Sequence, residues 1–315
     1  MVRTTRGSAL ATLTVALALA GCTSPVSPID ASTNADATDD VVALPDVVDA
    51  VTDAGLFAAR PYRSRVPRVY DPAHAAPLVV LLHGYSAGGG AQDLYFGLGQ
   101  LSEQRGFLYA YPDGTFDADG RRFWNAFPTS VDGGVSTPDD VAYIMSIIDD
   151  MSARYNVDPR RVFLVGHSNG AFMAYRLACE RSTRIAAIVG LAGAMLTDPA
   201  LCTPTMPVAI LHVHGDADTT IPYVGGTVRG VAYLGAVESL ARWATFNRCG
   251  PLVSTGMMLD LEATIPGAET TVRRHDGCAA GAAELWTMAG AQHLPGLGPT
   301  WANTIYTWLA AHPRM

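Results

Sequence analysis

Gly166-His167-Ser168-Asn169-Gly170 sets a serine between two glycines, directly after the apolar run Arg161-Val162-Phe163-Leu164-Val165 and directly before a helical run that starts at Ala171. A strand–turn–helix of this kind needs small residues on either side of the serine, and it projects the hydroxyl beside a helix N-terminus. An alcohol attacks a carbonyl only when a base takes its proton and a third group orients that base, so a histidine and a carboxylate are required. The histidine is expected at His293, in Ala289-Gly290-Ala291-Gln292-His293-Leu294-Pro295-Gly296. The carboxylate is expected in Leu211-His212-Val213-His214-Gly215-Asp216-Ala217-Asp218-Thr219-Thr220-Ile221-Pro222-Tyr223, where Asp216 and Asp218 compete. Asp218 is preferred, because Asp216 suits a turn-shaping role through its own backbone. The chemistry of such a set is acyl transfer through a covalent acyl-serine.

The tetrahedral oxyanion of that reaction needs two N–H donors. The backbone amide of Asn169, next after the serine, supplies one; the loop after Leu81-Leu82-His83-Gly84-Tyr85 supplies the other, expected at the Tyr85 amide. Ala87-Gly88-Gly89-Gly90 keeps that loop narrow, and no Lys-Ser/Thr follows, which excludes a P-loop. Trp124, in Arg122-Phe123-Trp124-Asn125, is a candidate wall of the substrate pocket, though a tryptophan in such a run is more often core. His83, His212 and His214 could suggest metal ligands. The His-Gly pairs at strand ends fit hydrogen-bonded structural histidines better, and no metal is expected.

These groups must hang on a scaffold. Apolar runs of strand length recur at 77–82, 107–111, 161–165, 185–191, 208–213 and 283–288, several of them continuous rather than alternating, as in strands covered on both faces. Helices are expected between them at 91–105, 168–181, 234–246 and 300–311. A further one begins at Thr137-Pro138-Asp139-Asp140, with Thr137 as N-cap and Val141, Ile144, Ile148 and Met151 on one face. Strands alternating with helices predict an α/β class: a doubly wound, mainly parallel sheet in a single catalytic domain over residues 56–315.

The chain of 315 residues carries a formal net charge of −8 and contains no lysine. An acidic protein repels phosphate backbones, so nucleic acid is excluded as a partner. Arg3 and Arg6, a short apolar run and then Leu19-Ala20-Gly21-Cys22 resemble a bacterial lipoprotein signal over residues 1–21, with Cys22 as the lipidated residue. Residues 22–55, rich in Ser, Thr, Asp, Ala and Pro, are expected to form a tether to the membrane. With Cys22 acylated, the remaining cysteines of an exported protein form an even set, and sequence order suggests Cys179–Cys202 and Cys249–Cys278. A monomer is expected.

Several segments occur together in order: Leu81-Leu82-His83-Gly84, Phe123-Trp124-Asn125, Asp139-Asp140-Val141, Tyr155-Asn156-Val157-Asp158-Pro159-Arg160-Arg161-Val162, the serine turn, and His214-Gly215-Asp216-Ala217-Asp218, with Cys249 and Cys278. From about residue 60 onward this set resembles the secreted polyhydroxybutyrate depolymerase-like esterases, relatives of the feruloyl and acetylxylan esterases. The resemblance implies the α/β-hydrolase fold and a serine hydrolase of carboxylic esters. Its substrate would be a hydroxyalkanoate polyester or, alternatively, phenolic or acetyl esters of plant polysaccharides, cleaved without metal or organic cofactor. Asp218, followed by two residues and Ile221-Pro222, also matches the position of the acid in many hydrolases of this fold. An acyltransferase using the same triad is a further alternative. The sequence departs from the family where members often carry Gly-Gly-His-Thr-Trp-Pro around the base; here the run is Ala291-Gln292-His293-Leu294-Pro295, and Ala171 stands where a second glycine is usual.

Overall fold

Val79, Leu81 and Phe107 leave no room for solvent on one side of the chain, and Leu78, Val80 and Leu82 leave none on the other. Successive side chains of a strand point to opposite faces, so a continuous apolar run is stable only where both faces are covered. The computed structural model describes Phe57 and residues 60–128 and 136–315. The expected signal sequence, the lipidated Cys22 and the tether lie outside the described residues.

Nine strands form one mixed sheet in the spatial order Ser64–Arg65, Leu108–Ala110, Ala76–Leu82, Val157–His167, Ala187–Leu191, Ala209–Gly215, Ala283–Met288, Thr270–His275 and Leu252–Leu259. The six from Leu108–Ala110 to Ala283–Met288 run parallel. The outer ones, one at the first edge and two at the other, are antiparallel. Helices Asp140–Arg154, Asn169–Glu180 and Ala236–Phe246 bury the face that carries Leu78, Val80 and Leu82. Helices Gly89–Phe96, Leu98–Arg105 and Trp301–Ala310 bury the face that carries Val79, Leu81 and Phe163.

Pairing register decides where the loops leave the sheet. Leu82 lies opposite Gly166, His167 opposite Leu191, Leu191 opposite Val213, and Gly215 opposite Met288. The carboxyl ends of these strands are therefore level, and the segments carrying Tyr85, Ser168, Asp218 and His293 all emerge at the same edge, where open parallel sheets place their sites.

Three expectations change. The helix expected over 91–105 is two helices, broken at Gly97, whose φ of 70° is one that glycine adopts without strain. The helix entered through Thr137 is capped instead by Asp139, whose carboxylate accepts the Ala142 amide at 2.9 Å. The antiparallel strands Leu252–Leu259 and Thr270–His275 carry no continuous apolar signal. Each is half-exposed, and the first is interrupted by a register shift between Ser254 and Met258, which destroys its alternation.

Two disulfides, Cys179–Cys202 and Cys249–Cys278, tie the end of the helix Asn169–Glu180 to the turn after Pro199–Leu201, and the residues after Ala236–Phe246 to those after Thr270–His275. Each restricts the unfolded chain, so a Cys179→Ala/Cys202→Ala protein should lose about 3 to 4 kcal/mol of stability in urea unfolding, and Cys249→Ala/Cys278→Ala about the same. A loss below about 1 kcal/mol would show that the reduced chain is already held by its core.

Candidate active site

Ser168 occupies the turn between Val157–His167 and Asn169–Glu180 with φ 53° and ψ −119°, a conformation that side chains of L-residues seldom adopt. The turn is held from both sides: the Ser168 amide donates to Leu191 O at 2.8 Å, and Ser168 O accepts the Ala171 and Phe172 amides at 2.9 and 3.1 Å. The flanking glycines are sterically required. A Cβ on Gly166 would lie 2.3 Å from Gly170 O, and one on Gly170 would lie 2.1 Å from Leu82 O.

His293 Nε2 stands 2.9 Å from Ser168 Oγ, and His293 Nδ1 stands 2.7 Å from Asp218 Oδ2. A carboxylate only accepts, so Nδ1 carries the proton and Nε2 presents its lone pair to the serine hydroxyl. Asp218 is buried, and its other oxygen takes the Thr220 and Ile221 amides at 2.8 and 2.9 Å. Burial raises its pKa, but hydrogen bonds from His214 and His293 and the Ile221 amide outweigh that, leaving the carboxyl well below the ordinary aspartate range and ionised. Asp216 points elsewhere. It is exposed and accepts the Gly290 amide at 2.6 Å, pinning the turn that leads into His293.

The amides of Tyr85 and Asn169 find no acceptor among the described residues. The Asn169 side chain is wholly engaged elsewhere: its Oδ1 accepts the Trp124 amide at 2.6 Å and its Nδ2 donates to Trp124 O at 3.0 Å. Trp124 itself is fully buried, with Nε1 donating to His83 O at 3.0 Å. Of the two readings, candidate pocket wall or core, the structure takes core: Trp124 is a strut joining the Asn169 turn to the His83–Tyr85 loop. Gln92, which sequence reasoning missed, takes the Gly84 amide on its Oε1 at 3.0 Å. The sequence shows only a glutamine just after the glycine run, and its burial emerges from the fold.

Two more buried histidines hold this edge. His83 Nε2 accepts the Gly114 amide at 2.8 Å, so its Nδ1–H donates to Gly84 O at 2.8 Å. His167 Nε2 lies 3.1 Å from the carbonyl of His293 and donates to it. Burial pushes both imidazoles down to about 4, the neighbouring His293 adding to the effect at His167.

Ser168 and His293 open onto a cleft of about 340 Å³ walled by Tyr85, Tyr95 and Leu294, with Ala87 and Ala91 in its lining. The Tyr85 hydroxyl donates to Asp117 at 2.6 Å and accepts from Arg229 at 3.0 Å. A second hollow of about 240 Å³, beside Phe172, Tyr175 and the Cys179–Cys202 bridge, contains none of Ser168, Asp218 or His293.

An acetyl xylan esterase from Aspergillus awamori superposes with a TM-score of 0.55, covering 80% of this chain and 94% of that one at 17% identity. The chain has the α/β-hydrolase fold. Residues 135–261 match the Phospholipase/Carboxylesterase family. A protein of Nocardia uniformis subsp. tsuyamanensis named as an esterase is 32% identical over 201 residues, 63% of this chain and 54% of that protein. Feruloyl esterase B of Piromyces equi is 26% identical over 243 residues, 74% of this chain and 42% of its own length. Poly(3-hydroxyalkanoate) depolymerase C of Paucimonas lemoignei is 29% identical over 175 residues, 55% of this chain and 40% of its own length. The chain thus spans about half, or less, of these relatives.

The buried His83 and His167 give a signed expectation for stability against pH. Unfolded imidazoles take up protons below about pH 6.5, whereas folded His83 and His167 stay neutral down to about 4, so the unfolded state binds more protons in that window and stability is lost as pH falls. Each contributes about 1.4 kcal/mol per pH unit. Urea unfolding should therefore weaken by at least about 2 kcal/mol between pH 6 and pH 5, and His167→Gln should remove about 1 kcal/mol of that loss. An unchanged slope in the variant would mean that His167 is already protonated in the folded protein.

Proposed function

We propose that this protein is a serine-dependent carboxylic ester hydrolase whose catalytic residues are Ser168, His293 and Asp218. The observation that carries this is a single imidazole within hydrogen-bonding distance of both a serine held at positive φ and a buried, ionised carboxylate. In this reading Ser168 Oγ attacks the ester carbonyl as His293 Nε2 takes its proton. Asp218 keeps the imidazole in the required tautomer and stabilises the imidazolium. The Tyr85 and Asn169 amides hold the oxyanion, each worth about 10² to 10³ in rate. His293 then protonates the leaving alkoxide, and a water molecule, activated in the same way, releases the acid from Ser168.

The substrate we favour is a phenolic or acetyl ester on a polysaccharide. The Piromyces relative, aligned over about three quarters of this chain, is named a feruloyl esterase, and relatives of the same description recur among those found. A cleft walled by Tyr85 and Tyr95 offers aromatic faces to an aromatic acyl group. The Paucimonas depolymerase, aligned over a shorter span, supports hydroxyalkanoate polyester as a second reading. Two disulfides accord with an oxidising compartment, and attachment to the cell envelope through a lipid on Cys22 completes the proposal.

Purified protein should release ferulate from methyl ferulate and acetate from acetylated xylan faster than 3-hydroxybutyrate oligomers from amorphous poly-3-hydroxybutyrate. Ser168→Ala should lower every such activity by about 10³-fold or more. Turnover retained by Ser168→Ala would sink the assignment, and faster release from the polyester would reverse the substrate order.

A further inference from the structure

Below the acid loop lies a buried chain of polar groups that the proposed reaction does not use. Tyr175 OH is 2.8 Å from His212 Nδ1; His212 Nε2 is 3.1 Å from His214 Nδ1; His214 Nε2 is 2.8 Å from Ile221 O and 3.3 Å from Asp218 Oδ2. Both histidines are fully buried and their rings lie nearly parallel, 5.4 Å apart.

With both rings neutral, only one arrangement of protons satisfies this chain. A carbonyl and a carboxylate only accept, so His214 carries its proton on Nε2. Neutral His214 then accepts on Nδ1, which requires His212 to donate from Nε2 and to accept on its own Nδ1. The donor there is the Tyr175 hydroxyl. Burial and the adjacent His214 hold His212 far below the ordinary histidine pKa, which keeps that ring neutral. Every ring nitrogen is thereby committed, and none remains for a metal ion.

The ends of the chain matter most. Tyr175 belongs to the helix Asn169–Glu180, which starts immediately after Ser168, whereas Ile221 both donates its amide to Asp218 and offers its carbonyl to His214. Tyr223 closes the far side, its ring edge-on to His214 at 5.6 Å. The chain therefore ties the helix of the nucleophile to the loop of the acid through the strand Ala209–Gly215, independently of His293.

We propose that His214, fixed in one tautomer by Tyr175 and His212, is a positioning residue that clamps the 218–221 loop and keeps the Asp218 carboxylate aimed at His293. The proposal rests on the ester-hydrolase reading for its kinetic consequence but not for its structural one. Losing the His214 donor frees the Ile221 carbonyl and removes one partner from Asp218, so the base is misoriented while the cleft that binds substrate is left as it was.

The test compares His214→Leu, His214→Gln and Tyr175→Phe with the wild-type protein, using 4-nitrophenyl acetate and 15N spectra of the histidine rings. Gln can place an amide donor near the position of Nε2; Leu cannot. His214→Leu should lower kcat by about 10- to 100-fold with KM within about threefold, and Gln should recover most of that loss. Tyr175→Phe should have a smaller effect of the same kind. The spectra should show His212 and His214 both protonated on Nε2. Gln performing no better than Leu, KM rising in step with the fall in kcat, or a proton on Nδ1 of either ring would overturn the proposal. A wild type inert towards every ester would sink the hydrolase reading alone. In that case the ring tautomers, together with faster amide exchange at Ile221 in Tyr175→Phe, still decide whether the clamp exists; unchanged exchange would refute it. Should His214→Leu fail to fold, Tyr175→Phe carries the kinetic comparison, and a wild-type kcat there would count against the relay.

Discussion

Everything at the catalytic edge depends on how closely Gly170 passes the carbonyls of Leu82 and His83. No side chain fits there, since a Cβ would fall 2.1 Å from one oxygen and 2.6 Å from the other. This close approach lets the helix after Ser168 start directly against the neighbouring strand. It brings the Asn169 amide and the loop bearing Tyr85 to the same side of the serine. The positive φ at Ser168 is a local cost, of order 1 to 3 kcal/mol, that the surrounding sheet and helix sustain. Trp124 and Gln92 then hold the two halves of that arrangement, one through the Asn169 side chain and the His83 carbonyl, the other through the Gly84 amide.

Neutral imidazoles are the recurring device for holding the loops. His83 donates to Gly84 O, His167 to His293 O and His214 to Ile221 O, so each of three loops at this edge has a main-chain carbonyl fixed by a buried ring. Imidazole suits the task because one nitrogen donates while the other accepts, and burial penalises the charged form that would donate from both. A lysine or arginine in the same places would add a charge beside His293 and compete with the Asp218 carboxylate for influence over it. The ionised carboxylate is thus the one permanent charge among these groups, satisfied by two amides and two imidazoles.

The two aspartates of Gly215-Asp216-Ala217-Asp218 illustrate a division of labour between residues only two apart. Asp218 turns inward and is buried against His293, whereas Asp216 stays exposed and takes the Gly290 amide, steadying the turn before His293. One carboxylate orients the imidazole directly, and the other anchors the chain that carries it.

The serine turn, its two glycines and the six parallel strands were legible in the sequence, because each follows from local sterics or from continuous apolar runs that only a doubly covered strand can bury. The strand expected at residues 77–82 is the fully buried Ala76–Leu82 for that reason. Three things were decided only by packing in three dimensions. Trp124 reads alike as core or pocket wall until Asn169 and His83 are seen to claim its polar atoms. The bulged edge strand Leu252–Leu259 and its half-exposed neighbour Thr270–His275 have no apolar run to read. The chain from Tyr175 through His212 to His214 joins residues on different elements, and its direction is set by which atoms meet. Sequence fixes what a residue can donate or accept and where the chain must turn; tertiary structure determines which partner each group finds, because those partners come from strands and helices far apart along the chain.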